Sequence, residues 1–389
     1  MIHRKKAGRT LKFILLAGLN ICFGSTIFAQ TGKSDTATLT LVQALDFAMA
    51  NNADVKNAYA DLAIANQTVK EVTAIGLPHL NGSIAWQDAI RKQVFVFPVN
   101  NVPQPIRIGN KYTTQAALNF SWLLIDGTYF LGLKSAKQYT DLSRKISSKT
   151  ETDVKVDVAK TYFMCLITKE NISLIDATYN TLNKTFKEVS ALNKEGFTEA
   201  LDVDRLKLQM NNLEISRKKL RDQYEIMIGL LKSKIGMNQD QPLKLTDNID
   251  ALNDGVTGLD TSAKVDLNAR TDYQVLQQQL VLNKLNVKRY QYGKYPSLAA
   301  AMVYQQSNFG EKIDYSRNNW FDNSYLALQM NIPIYNGFSN DAKIQKAKIE
   351  QIKTENTIRK AENLIQLDVI QSRLKYIRAM EYVEQQKEN

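Results

Sequence analysis

Few side chains in this sequence could do chemistry, and none has the company that chemistry needs. His79, beside Pro78, could serve as a base or a metal ligand, but past the first 29 residues it is the only histidine. A metal site or an acid–base pair needs a partner that is not there. Cys165 stands alone once Cys22 is set aside with the leader described below. A lone thiol gives neither a disulfide framework nor a thiolate cluster, and the neighbours Phe163, Met164 and Leu166 mark it as a small buried apolar residue. Glu199, Asp202 and Asp204 gather near a helix start, where carboxylates suit the positive end of the helix dipole. Gly127-Thr128 and Gly196-Phe197 are single punctuating glycines, and no phosphate loop or nucleophile elbow occurs. The sequence therefore predicts no catalytic residue, no cofactor and no metal. An enzyme is the reading it supports least.

Charge and length narrow the field further. The chain has 389 residues and a formal charge of +11. Arg4, Lys5, Lys6, Arg9 and Lys12 precede a mostly apolar stretch, Phe13 to Phe28, and a small residue, Ala29. This reads as a signal peptide spanning 1–29. A retained anchor is a minor alternative, as is lipidation of Cys22, where Ile21 is too large for the usual preceding residue. Without the leader the charge falls to about +6, which makes no case for nucleic acid. The densest basic cluster, Arg217, Lys218, Lys219 and Arg221, is interleaved with Glu214, Asp222 and Glu225 and reads as a solvated helix face.

With chemistry absent, the elements that would position it become the subject. From Leu326 to Ile334 apolar residues alternate with Ala327, Gln329 and Asn331, then Asn336-Gly337 opens a helical run. The same grammar occurs upstream: Ala116, Leu118, Phe120, Trp122 and Leu124 alternate with small and polar residues, and Asp126-Gly127 opens the next helix. Two copies of strand, Asx-Gly and long helix predict an internal repeat.

In chain order, residues to about Thr38 read as a mobile lead-in. Leu41 to Gly76 reads as one alanine-rich helix capped by Thr40, closed by Gly76 and Pro78. Leu80, Ile84 and Trp86 mark a strand. Phe97 to Gly109, with Pro98, Pro103 and Pro105, reads as a loop, and Tyr112 to Leu124 as the partner strand. Gly127 to about Lys194 is helical, with Ile172, Ile175, Tyr179, Leu182, Phe186 and Val189 on a heptad seam. After a turn at Gly196, Leu206, Met210, Leu213, Leu220, Tyr224, Met227 and Leu231 repeat that spacing, interrupted by Arg217. Together these predict an antiparallel coiled hairpin, which a soluble coiled-coil arm would also show. Gly236 to about Lys264 reads as a connecting layer. Asp266 to Gly293 is helical, Tyr295-Pro296 repeats the break at Leu77-Pro78, Leu298 to Tyr304 is a strand, Gln305 to Asn323 a loop, and the last helix follows Asn336-Gly337. From Gly127 to Gly196 is 69 residues, but only 52 follow Gly337. That predicts a missing turn and final helix, as in a fragment, a premature stop or a short form.

Strands of about ten residues with one apolar face match the weak signal of a membrane barrel. Four such strands cannot close on themselves, because each edge leaves backbone groups unpaired in lipid. They predict a symmetric oligomer.

These pieces resemble the outer-membrane efflux protein (TolC) family. The resemblance rests on Leu39-Thr40-Leu41-Val42-Gln43-Ala44-Leu45, on Leu77-Pro78 and Tyr295-Pro296, and on Ile125-Asp126-Gly127 and Pro333-Ile334-Tyr335-Asn336-Gly337. The Gly196…Asp202-Val203 turn and Asn268-Ala269-Arg270-Thr271-Asp272 complete it. Thr271 replaces the usual proline, and the last hairpin is short. The resemblance implies a mainly α chain with membrane β-strands, arranged as two repeats of helix, strand pair and long hairpin. Three such chains would form a β-barrel continued by an α-helical barrel. The implied divisions are 1–29, 30–236, 237–264 as an equatorial layer, and 265–389 as an incomplete second repeat. It further implies an outer-membrane homotrimer with a periplasmic extension, in contact with lipid and not nucleic acid. Such a trimer exports compounds passively with a periplasmic adaptor and an inner-membrane pump. The family's adaptor-docking tip, Val-Gly-Leu and then Ser or Thr, falls on Glu195, Gly196, Phe197 and Thr198, with departures at Glu195 and Phe197. Asp126, Gly127, Asn336 and Gly337 are the implied strand-to-helix turns, and Pro78 and Pro296 the helix-to-strand breaks.

Two other readings use the same residues: a periplasmic coiled-coil scaffold or adaptor with a soluble sheet, and a non-functional truncated channel.

Overall fold

The computed structural model describes residues 36–99, 102–249, 265–316 and 319–388. The expected signal peptide, Cys22 and residues 250–264 of the expected equatorial layer lie outside them.

The first two helices show how local chemistry divides a continuous pattern. Thr40 and Gln43 cap α1 (Leu41–Asn51) reciprocally. The single helix expected from Leu41 to Gly76 is instead two, because Asn52 turns extended (φ −60°, ψ 133°) and caps α2 (Ala53–Ile75). Its Oδ1 accepts from Asp54 N at 2.7 Å and Val55 N at 3.1 Å, while its Nδ2 donates to Lys234 O at 2.7 Å. Asn52 is buried, and all these bonds are spent on holding the break.

Beyond the sheet described below, α3 runs Gly127–Lys194, 68 residues, and α4 returns over Ala200–Ile235. The heptad positions are the half-buried ones on both arms, including Ile172, Ile175, Tyr179, Leu182 and, opposite, Leu206, Met210, Leu213, Leu220. Arg217 keeps its place in that seam by pairing with Asp176 and Glu214, both at 2.6 Å, and by lying over the Tyr179 ring. The core sits at the hairpin's base, where Tyr162, Val158 and Cys165 of α3 meet Leu231 and Ile235 of α4 and Val55 of α2. Full burial of each large apolar side chain there contributes about 1.5–3 kcal/mol.

Residues 36–39 are more ordered than the expected lead-in. β1 (Ala37–Leu39) pairs in parallel with a short strand, Leu243–Leu245, and Asp247 accepts from Leu41 N and from the Tyr162 hydroxyl. A 3-10 turn, Leu267–Ala269, leads to a helix over Thr271–Tyr292, later than the expected start at Asp266 because Arg270 is extended. That helix packs between α3 and the last one, Ser339–Glu388. Among the described residues no helix is long and apolar enough to cross a membrane.

The main sheet is antiparallel throughout. In chain order, β2 is His79–Asp88 and β3 and β4 are Gln93–Val99 and Val102–Ile108; β5 is Tyr112–Ile125. With Leu243–Leu245 as β6, β7 is Ser297–Gly310 and β8 is Trp320–Asn331. The order β2-β5-β7-β8 leaves β2 and β8 as free edges.

Three expectations fail here. The stretch expected as a proline loop is the hairpin β3–β4, in which Pro98 faces Pro103 and Pro105 faces Val96. All three prolines fall on alternate, non-hydrogen-bonded pairs, where a missing N–H costs nothing. The loop expected over Gln305 to Asn323 shrinks, because Gln305↔Asn323 and Gln306↔Asp322 extend the ladder with polar pairs that apolar alternation does not reveal. β8 also ends at Asn331, short of Ile334.

Candidate functional site

Among the described residues the candidate side chains stand apart from one another. His79 starts β2 opposite Ser121. Cys165 is wholly buried, and burial pushes its thiol up to about 11, so it stays protonated and inert. Among the described residues no group of three His, Cys, Asp or Glu is placed to hold a metal ion. What the fold builds instead is a surface.

The register of the four strands sorts their side chains onto two faces. One carries Leu80, Ile84, Trp86, Leu118, Trp122, Met302, Tyr304, Leu326, Leu328 and Met330, ten large apolar residues that all remain exposed. Leu80, Leu326 and Leu328 are 68–74% exposed. The other face carries Asn81, Ser83, Gln87, Gln115, Asn119, Ser121, Gln305, Asn323, Gln329 and Asn331. The apolar face amounts to roughly 1,000 Å², beyond the few hundred of an ordinary monomer's largest patch, and leaving it in water forgoes about 25 cal/mol per Å².

The apolar band is also slanted. Its continuous run ends at Trp86 on β2, which faces Thr114, but at Leu326 on β8, which faces Met302 at the level of Leu80; Trp320, level with Trp86, is set apart from it by Asp322 and Ser324. That is a drop of about 20 Å over about 14 Å of sheet width, a slant of order 50° against the strands' hydrogen-bond rows. Strands that cross a bilayer tilt by about 45°, and an apolar band that is level in the membrane must then run obliquely across them.

All the helix connections leave from one end of the sheet, where β2 starts, β5 ends, β7 starts and β8 ends. Pro78 and Pro296 sit just before β2 and β7. Asp126 accepts from Thr128 N at 2.6 Å and Tyr129 N at 3.1 Å, capping α3. Gly127 is needed for a close approach, since a Cβ there would lie 2.8 Å from Tyr292 Cδ1. The second turn is built differently: Gly337 (φ 61°) and Phe338 (φ 62°) are both left-handed, and Asn336 O accepts from Ser339 N. The two expected turns thus occupy corresponding places with unlike chemistry.

At the far end of the coiled hairpin, Gly196 (φ 81°) reverses the chain. Its N–H donates to Asn193 O, and Phe197 N to Leu192 O at 2.9 Å, the paired bonds of a Schellman cap. Asn193 Nδ2 then donates to Thr198 O at 2.6 Å, while Phe197 is 78% exposed. Glu195 closes α3 as its C-cap. The four expected tip residues form one hydrogen-bonded knuckle with an exposed aromatic side chain at its point. Sequence reading missed the β3–β4 hairpin, whose period-2 apolar pattern at Val94, Val96 and Pro98 was hidden by the prolines.

No protein-family profile and no curated protein matches this sequence. Solved structures do. The Campylobacter jejuni CmeC outer membrane channel superposes with a TM-score of 0.66 at 14% identity, covering 84% of this chain and 68% of that one. VceC, an outer membrane protein of Vibrio cholerae, gives 0.64 at 15% identity over 84% and 75% of the two chains. CusC, whose structures describe transmembrane channel formation, gives 0.63 at 16% identity over 90% and 81%. The chain has the fold of these outer membrane channels.

Proposed function

We propose that the protein is one subunit of a trimeric outer-membrane conduit through which compounds leave passively. It would work with an inner-membrane pump joined by a periplasmic adaptor. The observation that carries this is the open-edged sheet, one strand thick, with an oblique apolar face. The free edges of β2 and β8 need partner strands before they can enter lipid. Two copies would give eight strands, a barrel whose interior side chains fill; three give twelve and leave a passage lined by the amides of the polar face. The helices below would prolong that passage into the periplasm. The knuckle Glu195, Gly196, Phe197, Thr198 is the adaptor-docking tip in this reading, with Phe197 as its apolar contact. Asp126, Gly127, Asn336 and Gly337 set the joint between barrel and tube, and Pro78 and Pro296 end the helices that enter it.

The test is conductance. Protein extracted from outer-membrane fractions and added to planar bilayers should give discrete steps of uniform size. A preparation that is pure, folded and electrically silent counts against the conduit.

A further inference from the structure

The hairpin β3–β4 plays no part in the barrel or the tube. It forms a two-stranded sheet of its own, at the end of the main sheet away from the helices. Phe95, Phe97 and Ile106 lie on one of its faces and Val94, Val96 and Pro105 on the other, and the five non-proline residues are each 41–62% exposed. Arg107 is the only charged side chain among its described residues. A free two-stranded ribbon is marginal in water even with one polar face, and this one has none. It requires cover on both sides.

Lipid does not supply it. Asp88, Arg91, Lys92 and Lys111 separate the ribbon from the apolar band, and Lys92 Nζ ties its base to Glu311 on the β7–β8 loop at 2.5 Å. The ribbon therefore stands outside a charged girdle. A free protein is a poor candidate too. The ribbon offers roughly 500 Å² of apolar surface, well below the roughly 800 Å² per partner of a stable complex between free proteins. Contact of that size holds only when the parts are already tethered together.

Sister subunits are tethered in that way. The ribbon is the connection between β5 and β2, the edge strand that must pair with a neighbouring chain. In a twelve-stranded barrel the wall lies about 12 Å from the axis, and a seven-residue strand reaches about 23 Å. The two apolar faces differ, so like-to-like pairing would leave one wet. Packing one face on the unlike face of the next copy uses both, and such head-to-tail contacts close into rings. We propose that three β3–β4 ribbons pack in this way above the barrel and narrow its outer mouth without sealing it, forming a perforated cap. This rests on the trimeric conduit proposed above.

The experiment has two arms, both on the full-length protein in detergent or bilayers, with trimer migration as the folding control. In one, residues 93–108 are replaced by a short Gly-Ser link, with Phe95→Asn plus Phe97→Asn as a milder variant of full length. Single-channel conductance should rise several-fold in both. In the other, Val96→Cys plus Phe97→Cys places thiols on opposite faces of one ribbon, where they cannot join each other. Oxidation should yield covalent trimers. Unchanged conductance, or cysteines that stay free or link to another protein, overturns the cap. If the trimer forms and conducts, failure of either arm is failure of the cap alone; if the unaltered protein neither trimerises nor conducts, the conduit falls and the cap with it.

Discussion

Arg217 on α4 donates from Nε to Asp176 Oδ1 on α3 at 2.6 Å, across the seam of the coiled hairpin. It fills the one seam position on either arm that is not apolar. Arg221 reaches the other oxygen of the same carboxylate at 3.1 Å, and Glu214 takes Arg217 Nη1 at 2.6 Å. The side chain is half-buried, so its removal leaves Asp176 with the weaker partner and a gap beside Tyr179. Arg217→Ala should speed hydrogen exchange along the hairpin around residues 170–221. Arg217→Leu, which restores an apolar knob, should do so less. Equal effects would mean that the charge network matters and the packing does not.

Acid should loosen the same place. The Arg217 hydrogen bond, helped by Arg221, holds the Asp176 carboxyl below the ordinary carboxylate range. A group whose folded-state value is depressed contributes stability above its unfolded value and loses it as pH falls through the folded one. The thermal midpoint should therefore drop below about pH 4. Asp176→Asn should be less stable at neutral pH and show a flatter acid limb. Parallel acid limbs in the two proteins would remove Asp176 from the account.

The joint between the first helices and the hairpin base is a second test. Asn52→Ala strands the buried Val55 N–H, the part-buried Asp54 N–H and Lys234 O, and should cost about 1–3 kcal/mol in denaturant unfolding. Gly236 lies beside it with φ 75°, and a Cβ there would sit 2.5 Å from Asn51 O. That contact is with backbone, which has nowhere to go. Gly236→Ala should cost about 2–4 kcal/mol, and Asn52→Asp, which keeps the cap but loses the donor, should fall between Asn52→Ala and the unaltered protein.

These positions also mark where the sequence was legible. The bounds of α3 could be read because Asp126-Gly127 and Gly196 punctuate a heptad run that never slips. The two-faced sheet was visible from Leu118, Phe120, Trp122 and from Leu326, Leu328, Met330, since a period of two is the strand's own geometry. Asn52 was hidden because alanines continue on both sides of it, and the break depends on Lys234 O, 182 residues away in sequence. The β3–β4 ribbon was hidden by prolines whose cost depends on ladder parity, a property of the partner strand. The ends of β7 and β8 pair through Gln, Asn and Asp, residues that read as loop until their partners are known.

The hairpin tip gives a prediction about partners. Phe197→Ser leaves Gly196 and the Asn193–Thr198 bond in place, so the knuckle should keep its shape. Export and co-purification of the adaptor should fall by tenfold or so, as for loss of a buried aromatic anchor, while trimer migration and conductance stay unchanged. Normal export by this variant would take Phe197 out of the docking surface.

Everything proposed here depends on three chains completing one another's sheet edges in a bilayer. The most direct measurement is the native mass of the protein extracted by detergent from outer membranes. Three copies in one detergent belt, separating only on heating, is the predicted result. A single chain that leaves the cell envelope in buffer without detergent would contradict it.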